Sequence, residues 1–402
     1  MKYFMLVPDG CGDRPIPALG GRTPLEAAEL THINALAKIS ETGLVQTIPA
    51  GVEPGSDAAN LSILGYDPAA CLSGRAPLEA AAMGLPMGAA DVAFRASLVT
   101  LEGDGPYETL TVRDHSAGEI GDEDAETLIR AVDNALGGPG MRFYPGVSYR
   151  CLLISDRLES GCKTTPPHDI LGRPAGAYLP AGAGAGAIRA LMVQSYELLK
   201  NHPLNLERIG RGLRPANSVW IWGQGRKMGL APLERKYGVR GCMVAAVNLL
   251  KGIGRCAGMD CADVPGANGT LHTNYQGKAE AAVKAFEQGR DFVFIHVEAP
   301  DECSHTGDRE GKLASLQRID RKVFGPVTDY LKSTGEPYRV LVLPDHKTPL
   351  EIQTHSTEPV PFILYDSENP LPPDGAKAFS ETCGARGRFF ESGPALAAYF
   401  FR

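Results

Sequence analysis

Hard or borderline divalent cations take carboxylate and imidazole ligands, and a binuclear site draws about six or seven of them from several loops. The sequence holds such a set in Asp9, Asp301, His305, Asp345, His346 and His355. Asp9 directly follows the apolar run Tyr3 to Val7, and Gly10 and Gly12 permit a tight turn that points its carboxylate outward. By itself an Asp in that place is often no more than a helix cap. Asp301 and His305 are four residues apart. A helical turn after Pro300 puts both on one face, where they grip one ion or serve as a cap and a surface imidazole. Asp345-His346 ends another apolar run, and His355 follows in a loop able to return across the site. Three of the nine histidines thus fall beside a strand end, a carboxylate or a turn. That concentration, and not any single one, points to metal. A nucleophile is offered by Pro54-Gly55-Ser56-Asp57, ahead of a helical stretch from Ala58 to Leu64. Backbone N–H groups and a cation there stabilise both a serine alkoxide and an incoming phosphate. Without the metal set, a cap by Ser56 or Asp57 is the preferred reading.

These residues need elements that bring distant stretches together. Tyr3 to Val7, Phe292 to Val297 and Val340 to Leu343 are continuous apolar runs, as expected of strands buried on both faces of a parallel sheet. Leu25 to Ile39 and Gly277 to Gln288 suit crossover helices. The pattern is α/β, doubly wound and mostly parallel, and ligands of such sheets bind beyond the carboxyl ends of the strands, where the acidic turns lie. From about Arg95 the texture changes to alternating segments around one helix, Asp122 to Leu136, with an acidic first turn. The expected organisation is a discontinuous catalytic domain, 1–94 and 174–402, interrupted by a smaller α+β insertion at 95–173, to which the resemblance given below assigns the covering of the substrate. Ala181 to Ala187 alternates Ala and Gly and reads as a connector opening a helix rather than a nucleotide loop.

The chain of 402 residues exceeds what one core usually supports, which agrees with two domains. Its composition is that of a globular protein, and its net charge of −7, without blocks of like charge, favours neither nucleic acid nor an anionic membrane as partner. No apolar run approaches a bilayer span and the first residues lack a signal-peptide pattern, so a cytoplasmic location is expected. The nine cysteines contain no C-x-x-C pair, against a zinc ribbon or a thioredoxin-like motif.

Taken together, Asp9-Gly-Cys-Gly12, Pro54-Gly-Ser56-Asp57 followed by Leu61-Ser-Ile-Leu-Gly-Tyr-Asp-Pro68, Gly74-Arg-Ala-Pro-Leu-Glu-Ala80, His296-Val-Glu-Ala-Pro-Asp301 to His305, Asp345-His346 and His355-Ser356 resemble the archaeal-type cofactor-independent phosphoglycerate mutases. That family belongs to the alkaline phosphatase superfamily, and the resemblance runs over nearly the whole chain. It implies an alkaline-phosphatase-like fold and two divalent ions, manganese first, with magnesium, zinc or cobalt as alternatives. Asp9, Ser56, Asp345 and His346 match the positions that hold one ion, and Asp301, His305 and His355 those that hold the other. Ser56 matches the nucleophile that takes the phosphoryl group from 3-phosphoglycerate and returns it to the 2-hydroxyl. Arg75, Arg150, His168 and Lys278 are the candidates for contacts with this small phosphorylated substrate, Arg150 and Lys278 foremost. The chain departs from the family pattern at Asn60, where many members have His, and at Lys347, where a small residue is usual. Asn217-Ser-Val-Trp220 to Gly223 and Thr165-Pro-Pro-His168-Asp169 resemble a bacterial subgroup proposed to act as homoserine kinases, so ATP and homoserine are the alternative substrates.

Overall fold

The structure, a computed structural model, describes residues 1–402 and divides into two compact units, Met1–Leu72 with Gly229–Arg402, and Ser73–Met228. In chain order the strands are β1 (Lys2–Pro8), β2 (Glu41–Val45), β3 (Val92–Glu102), β4 (Thr111–Asp114), β5 (Met141–Val147), β6 (Arg150–Ser155), β7 (Ser218–Arg226), β8 (Gly241–Val244), β9 (Asp260–Ala262), β10 (Phe292–Val297), β11 (Tyr338–Val342), β12 (Val360–Asp366) and β13 (Arg388–Phe390). No helix is long and apolar enough to cross a membrane.

The first unit is built on an eight-stranded sheet in the order β13-β2-β12-β11-β1-β10-β8-β9. β1 lies between β10 and β11, parallel to both, with Leu6 opposite Ile295 on one side and Val342 on the other. β8 and β9 continue the parallel run, whereas β12 is antiparallel to β11 and β2. The apolar runs of β1, β10 and β11 are continuous because helices cover the sheet. Phe4, Leu6, Val293, Ile295, Val340 and Val342 share one core with Ile33, Phe286, Phe324 and Val327. Because these three strands run parallel, they deliver Asp9, Glu298 and Asp345 to the same edge of the sheet.

Two expectations need correction. The helix expected over Leu25–Ile39 is broken into Pro24–Ala27 and Thr31–Ala37. Thr23 and Glu26 form a capping box for the first piece. The N–H groups of His32 and Ile33 donate to the Asp320 carboxylate, which starts the second. The helix Tyr275–Glu287, by contrast, begins close to where it was expected, with the Asn274 side chain accepting from Gly277 N–H.

The second unit, Ser73–Met228, is wider than the expected 95–173 on both sides. Its long strand β3 starts at Val92 and pairs antiparallel with β6 and with β7, whose residues come well after 173. The helices Asp122–Leu136 and Ala185–Leu199 pack on this five-stranded sheet, sharing a core of Phe94, Leu98, Leu128, Ile188, Met192 and Trp220. The Ala/Gly stretch opens the second of these helices, with Gly184 in the left-handed region at φ 74°.

Candidate active site

Ser56 is the first residue of the helix Ser56–Ile63, whose cap is the extended Gly55. No side chain caps that helix. Instead of serving the backbone, the Ser56 hydroxyl lies 3.2 Å from His346 Nε2. The positive end of the helix dipole favours negative charge at this oxygen. One turn on, Asn60 is buried and its Nδ2 donates to the Ser56 carbonyl and to Asp345 Oδ2, both at 2.8 Å. Asn60 therefore orients a carboxylate and the Ser56 turn, so this departure from the family pattern acts on the site's frame.

The turn after β1 carries Asp9 and Gly10. Gly10 has φ 57°, donates its N–H to Asp345 Oδ1 at 3.2 Å, and approaches so closely that a Cβ would strike Asp301 and Thr348. Glycine is required there on both counts. Asp345 and His346, beyond β11, have no exposed surface. His346 Nε2 is 3.5 Å from Asp9 Oδ1 and 3.6 Å from Asp345 Oδ2, and ligand atoms of these three residues all lie within 4.8 Å of one another. Asp301, His346 and His355 form a second such group. His346 thus stands in both, where the sequence assigned it to one. In the helix Ala299–His305, His305 Nε2 comes 3.1 Å from Asp301 Oδ2 and 3.0 Å from His355 Nε2. All seven residues expected to hold metal are gathered at one sheet edge.

The tautomers of the two outer histidines test whether these donors fit cations. His305 Nδ1 faces the Gln353 carbonyl at 2.9 Å and His355 Nδ1 the Pro54 carbonyl at 3.3 Å. A carbonyl only accepts, so both Nδ1 atoms carry hydrogen, and in the neutral rings both Nε2 lone pairs face each other beside a carboxylate. Such a geometry calls for a cation. Without a metal a proton fills that role: the hydrogen bond that His305 donates to Asp301 raises the His305 pKa to about 9. The carboxylates make the same demand. Burial first, then the charges of Asp345, Asp301 and Glu298, push Asp9 well above the usual carboxylate range, and its buried Oδ1 has no hydrogen-bond partner. Burial raises Asp301 and Asp345 too, but His305 and His355 offset this at Asp301, as His346 and His296 do at Asp345, and both stay below the ordinary value. Burial lowers His346, which favours its neutral form. Carboxylate and imidazole groups converging on shared buried space fit divalent cations.

Behind these residues lies a layer that the sequence reading missed. His296 is buried between Asp9 Oδ2 and Asp345 Oδ2, with Nε2 3.5 Å from each, and its Nδ1 is 3.3 Å from Glu298 Oε1. Lys278, expected to contact substrate, has no exposed surface. Its Nζ donates to the His296 carbonyl at 2.7 Å and Glu298 Oε2 at 3.0 Å. That contradicts substrate contact: the ammonium is committed to a buried carboxylate. Burial raises Glu298, but Lys278 and His296 more than offset this and hold it at about 2. Lys312, also fully buried, donates to Asp13 Oδ2 at 2.8 Å and the Thr348 carbonyl at 3.0 Å, tying the loops after β1 and β11 together. His296 stood in a quoted motif. Asp13 and Lys312, 299 residues apart, carry no local signal at all.

The other expected substrate contacts lie in the second unit. Arg150 and His168 are exposed and belong to one patch of rings. The Arg150 guanidinium lies 5.0 Å from the Tyr149 ring centre. Tyr149 meets His115 edge-on at 5.5 Å, His115 meets His168 at 6.0 Å, and His168 meets Trp222 at 5.5 Å. Arg75 is exposed ahead of the helix Ala76–Ala82 in the same unit.

Comparison with known proteins gives a consistent picture. Residues 37–205 match the family model described as 2,3-bisphosphoglycerate-independent phosphoglycerate mutase. A protein of that name from Methanosarcina barkeri is 46% identical over 388 residues, covering 96% of both chains. Among solved structures, the cofactor-independent phosphoglycerate mutase of Thermoplasma acidophilum is 28% identical, with a TM-score of 0.71 over 100% of this chain and 99% of that one. A Pyrococcus horikoshii protein is likewise 28% identical, with a TM-score of 0.80 over 99% and 96%.

Proposed function

We infer the reaction from the premise that this chain belongs to the 2,3-bisphosphoglycerate-independent phosphoglycerate mutase family: it interconverts 3-phosphoglycerate and 2-phosphoglycerate. The observation that carries the chemistry is the Ser56 hydroxyl, which caps no helix and lies against His346 among the converging ligands. Asp9, Ser56, Asp345 and His346 would hold one divalent ion and Asp301, His305 and His355 the other, with manganese the leading choice and magnesium, zinc or cobalt alternatives. When bound, such ions lower the pKa of a serine hydroxyl and neutralise phosphoryl oxygens.

Ser56 Oγ attacks phosphorus, forming the Ser56 Oγ–P bond as the bond from phosphorus to the 3-oxygen breaks. The glycerate 2-hydroxyl oxygen then attacks the phosphoserine, forming the new P–O bond and releasing Ser56 Oγ. Protons balance over the cycle: the one lost from Ser56 Oγ is matched by the one taken up by the departing 3-oxygen, and the one lost from the 2-hydroxyl by the one that returns to Ser56 Oγ. The helix amides behind Ser56 favour the negative charge that develops there, and Asn60 holds Asp345 and the Ser56 turn in register. Arg150, His168 and Arg75 are proposed as contacts for the substrate's anionic groups. Lys278 is removed from that role. A cytoplasmic location belongs to the same proposal. The ATP-dependent homoserine kinase alternative has no observation in its favour among these relatives.

The test is to incubate purified protein and Mn2+ with 3-phosphoglycerate, or with ATP and homoserine. The expected product is 2-phosphoglycerate without nucleotide; phosphohomoserine in the absence of 2-phosphoglycerate would overturn the assignment.

A further inference from the structure

One hydroxyl stands between a ligand of each proposed ion position. Thr348 is fully buried, with Oγ1 2.5 Å from Asp301 Oδ1 and 3.2 Å from His346 Nδ1. A threonine hydroxyl has one proton to donate, and an ionised carboxylate can only accept. The Thr348 proton therefore goes to Asp301. The second contact then has a single solution: His346 Nδ1 carries a hydrogen and donates it to Thr348, which leaves the lone pair on Nε2, the atom facing Ser56 Oγ. On the other side, Asp301 Oδ1 is engaged and Oδ2, beside His305 Nε2, is left for a cation.

The backbone around Thr348 is itself held. Its N–H donates to the Gly12 carbonyl at 3.2 Å, and its carbonyl accepts from Lys312, which is closed by Asp13. A Cβ at Gly10 would fall 2.5 Å from the same hydroxyl, so the glycine leaves Thr348 Oγ1 its place. The arrangement fixes where one hydrogen sits, and with it which atoms of two residues remain free.

Resting on the two-ion reading above, we propose that Thr348 is a positioning residue that couples the two ion positions, by engaging one oxygen of Asp301 and setting the tautomer of His346. Filling one position then orders a ligand of the other.

T348V replaces the hydroxyl by a methyl of similar size, while T348S keeps the hydroxyl. Two readouts apply to each: the His346 tautomer in metal-free protein by 15N NMR, and the stepwise Mn2+ isotherm by calorimetry. Wild-type His346 is expected as the Nδ1–H form. T348V is expected to mix tautomers and to lose about 10- to 100-fold in Mn2+ affinity at both positions. T348S is expected to restore both. An Nε2–H His346 in the wild type overturns the proposal, as does a T348V isotherm like the wild type's or one weakened at a single position. If T348V does not fold, the wild-type tautomer decides. If no variant binds Mn2+, the two-ion reading fails, and the tautomer still tests what Thr348 does.

Discussion

Replacing Lys278 with Met separates the structural role found for this residue from the substrate contact that its motif suggested. The substitution keeps the volume of a buried chain and removes its charge, leaving Glu298 without the ammonium 3.0 Å away. The magnitude follows from the Glu298 carboxyl, held at about 2 in place of its ordinary 4.5. That difference corresponds to about 3 kcal/mol of preference for the ionised form in the folded state. Removing one partner of a buried ion pair costs a comparable ~3–5 kcal/mol. For a unit of about 250 residues, each kcal/mol lowers the melting temperature by about 2–4 °C, so K278M should melt about 6–20 °C below wild type. Calorimetry on chelator-treated protein is the assay of choice, because bound metal would add its own stabilisation. The double variant K278M/E298L, which removes both charges, should recover much of the loss. In steady-state assays the KM for 3-phosphoglycerate should stay close to wild type while kcat falls, since Glu298 supports His296 and, through it, Asp9 and Asp345. An unchanged melting temperature together with a raised KM would refute this reasoning and return Lys278 to the substrate.

Acid should expose the same pair. Because the folded Glu298 pKa is depressed, its contribution is present above about 4.5 and is lost as pH falls toward 2; metal-free wild type should lose more stability over that range than K278M, as measured by urea unfolding. Ser56→Ala should abolish phosphoryl transfer while leaving most of the bound metal in place by elemental analysis; surviving turnover would remove Ser56 as the nucleophile. Asn60→Ala should weaken metal binding about 10- to 100-fold without changing which acceptor is used, because its amide orients Asp345; a switch of acceptor would show that Asn60 faces substrate.

The meeting of Asp9, Asp345 and His346 was legible because it follows a rule of sheet architecture. Strands buried on both faces announce themselves as apolar runs, and residues just past their carboxyl ends, such as Asp9 and Asp345-His346, share an edge whatever their separation in sequence. Ser56 needed the structure to choose between a cap and a hydroxyl free for the site: no side chain caps its helix, and its hydroxyl lies against His346. What escaped depends on partners far along the chain. The helix break near Ala28 is driven by Asp320, the inserted unit's true extent by the pairing of β3 with β7, and the role of Lys278 by Glu298 across a buried interface. None of these leaves a trace in local spacing. A lysine committed to a buried carboxylate looks, in sequence, like one that waits for a phosphate.

The central position of β1 has a consequence for biosynthesis. It is translated first among the strands, yet Tyr3 pairs with Phe292 and Arg339, so its partners leave the ribosome nearly 290 residues later or more. At about 5–20 residues per second that is a wait of roughly 15–60 s for an almost wholly apolar segment. The nascent chain therefore carries this strand unpaired and aggregation-prone while the inserted unit is being made. Dependence on a holding chaperone during synthesis should be greatest in that interval and end once β11 has emerged.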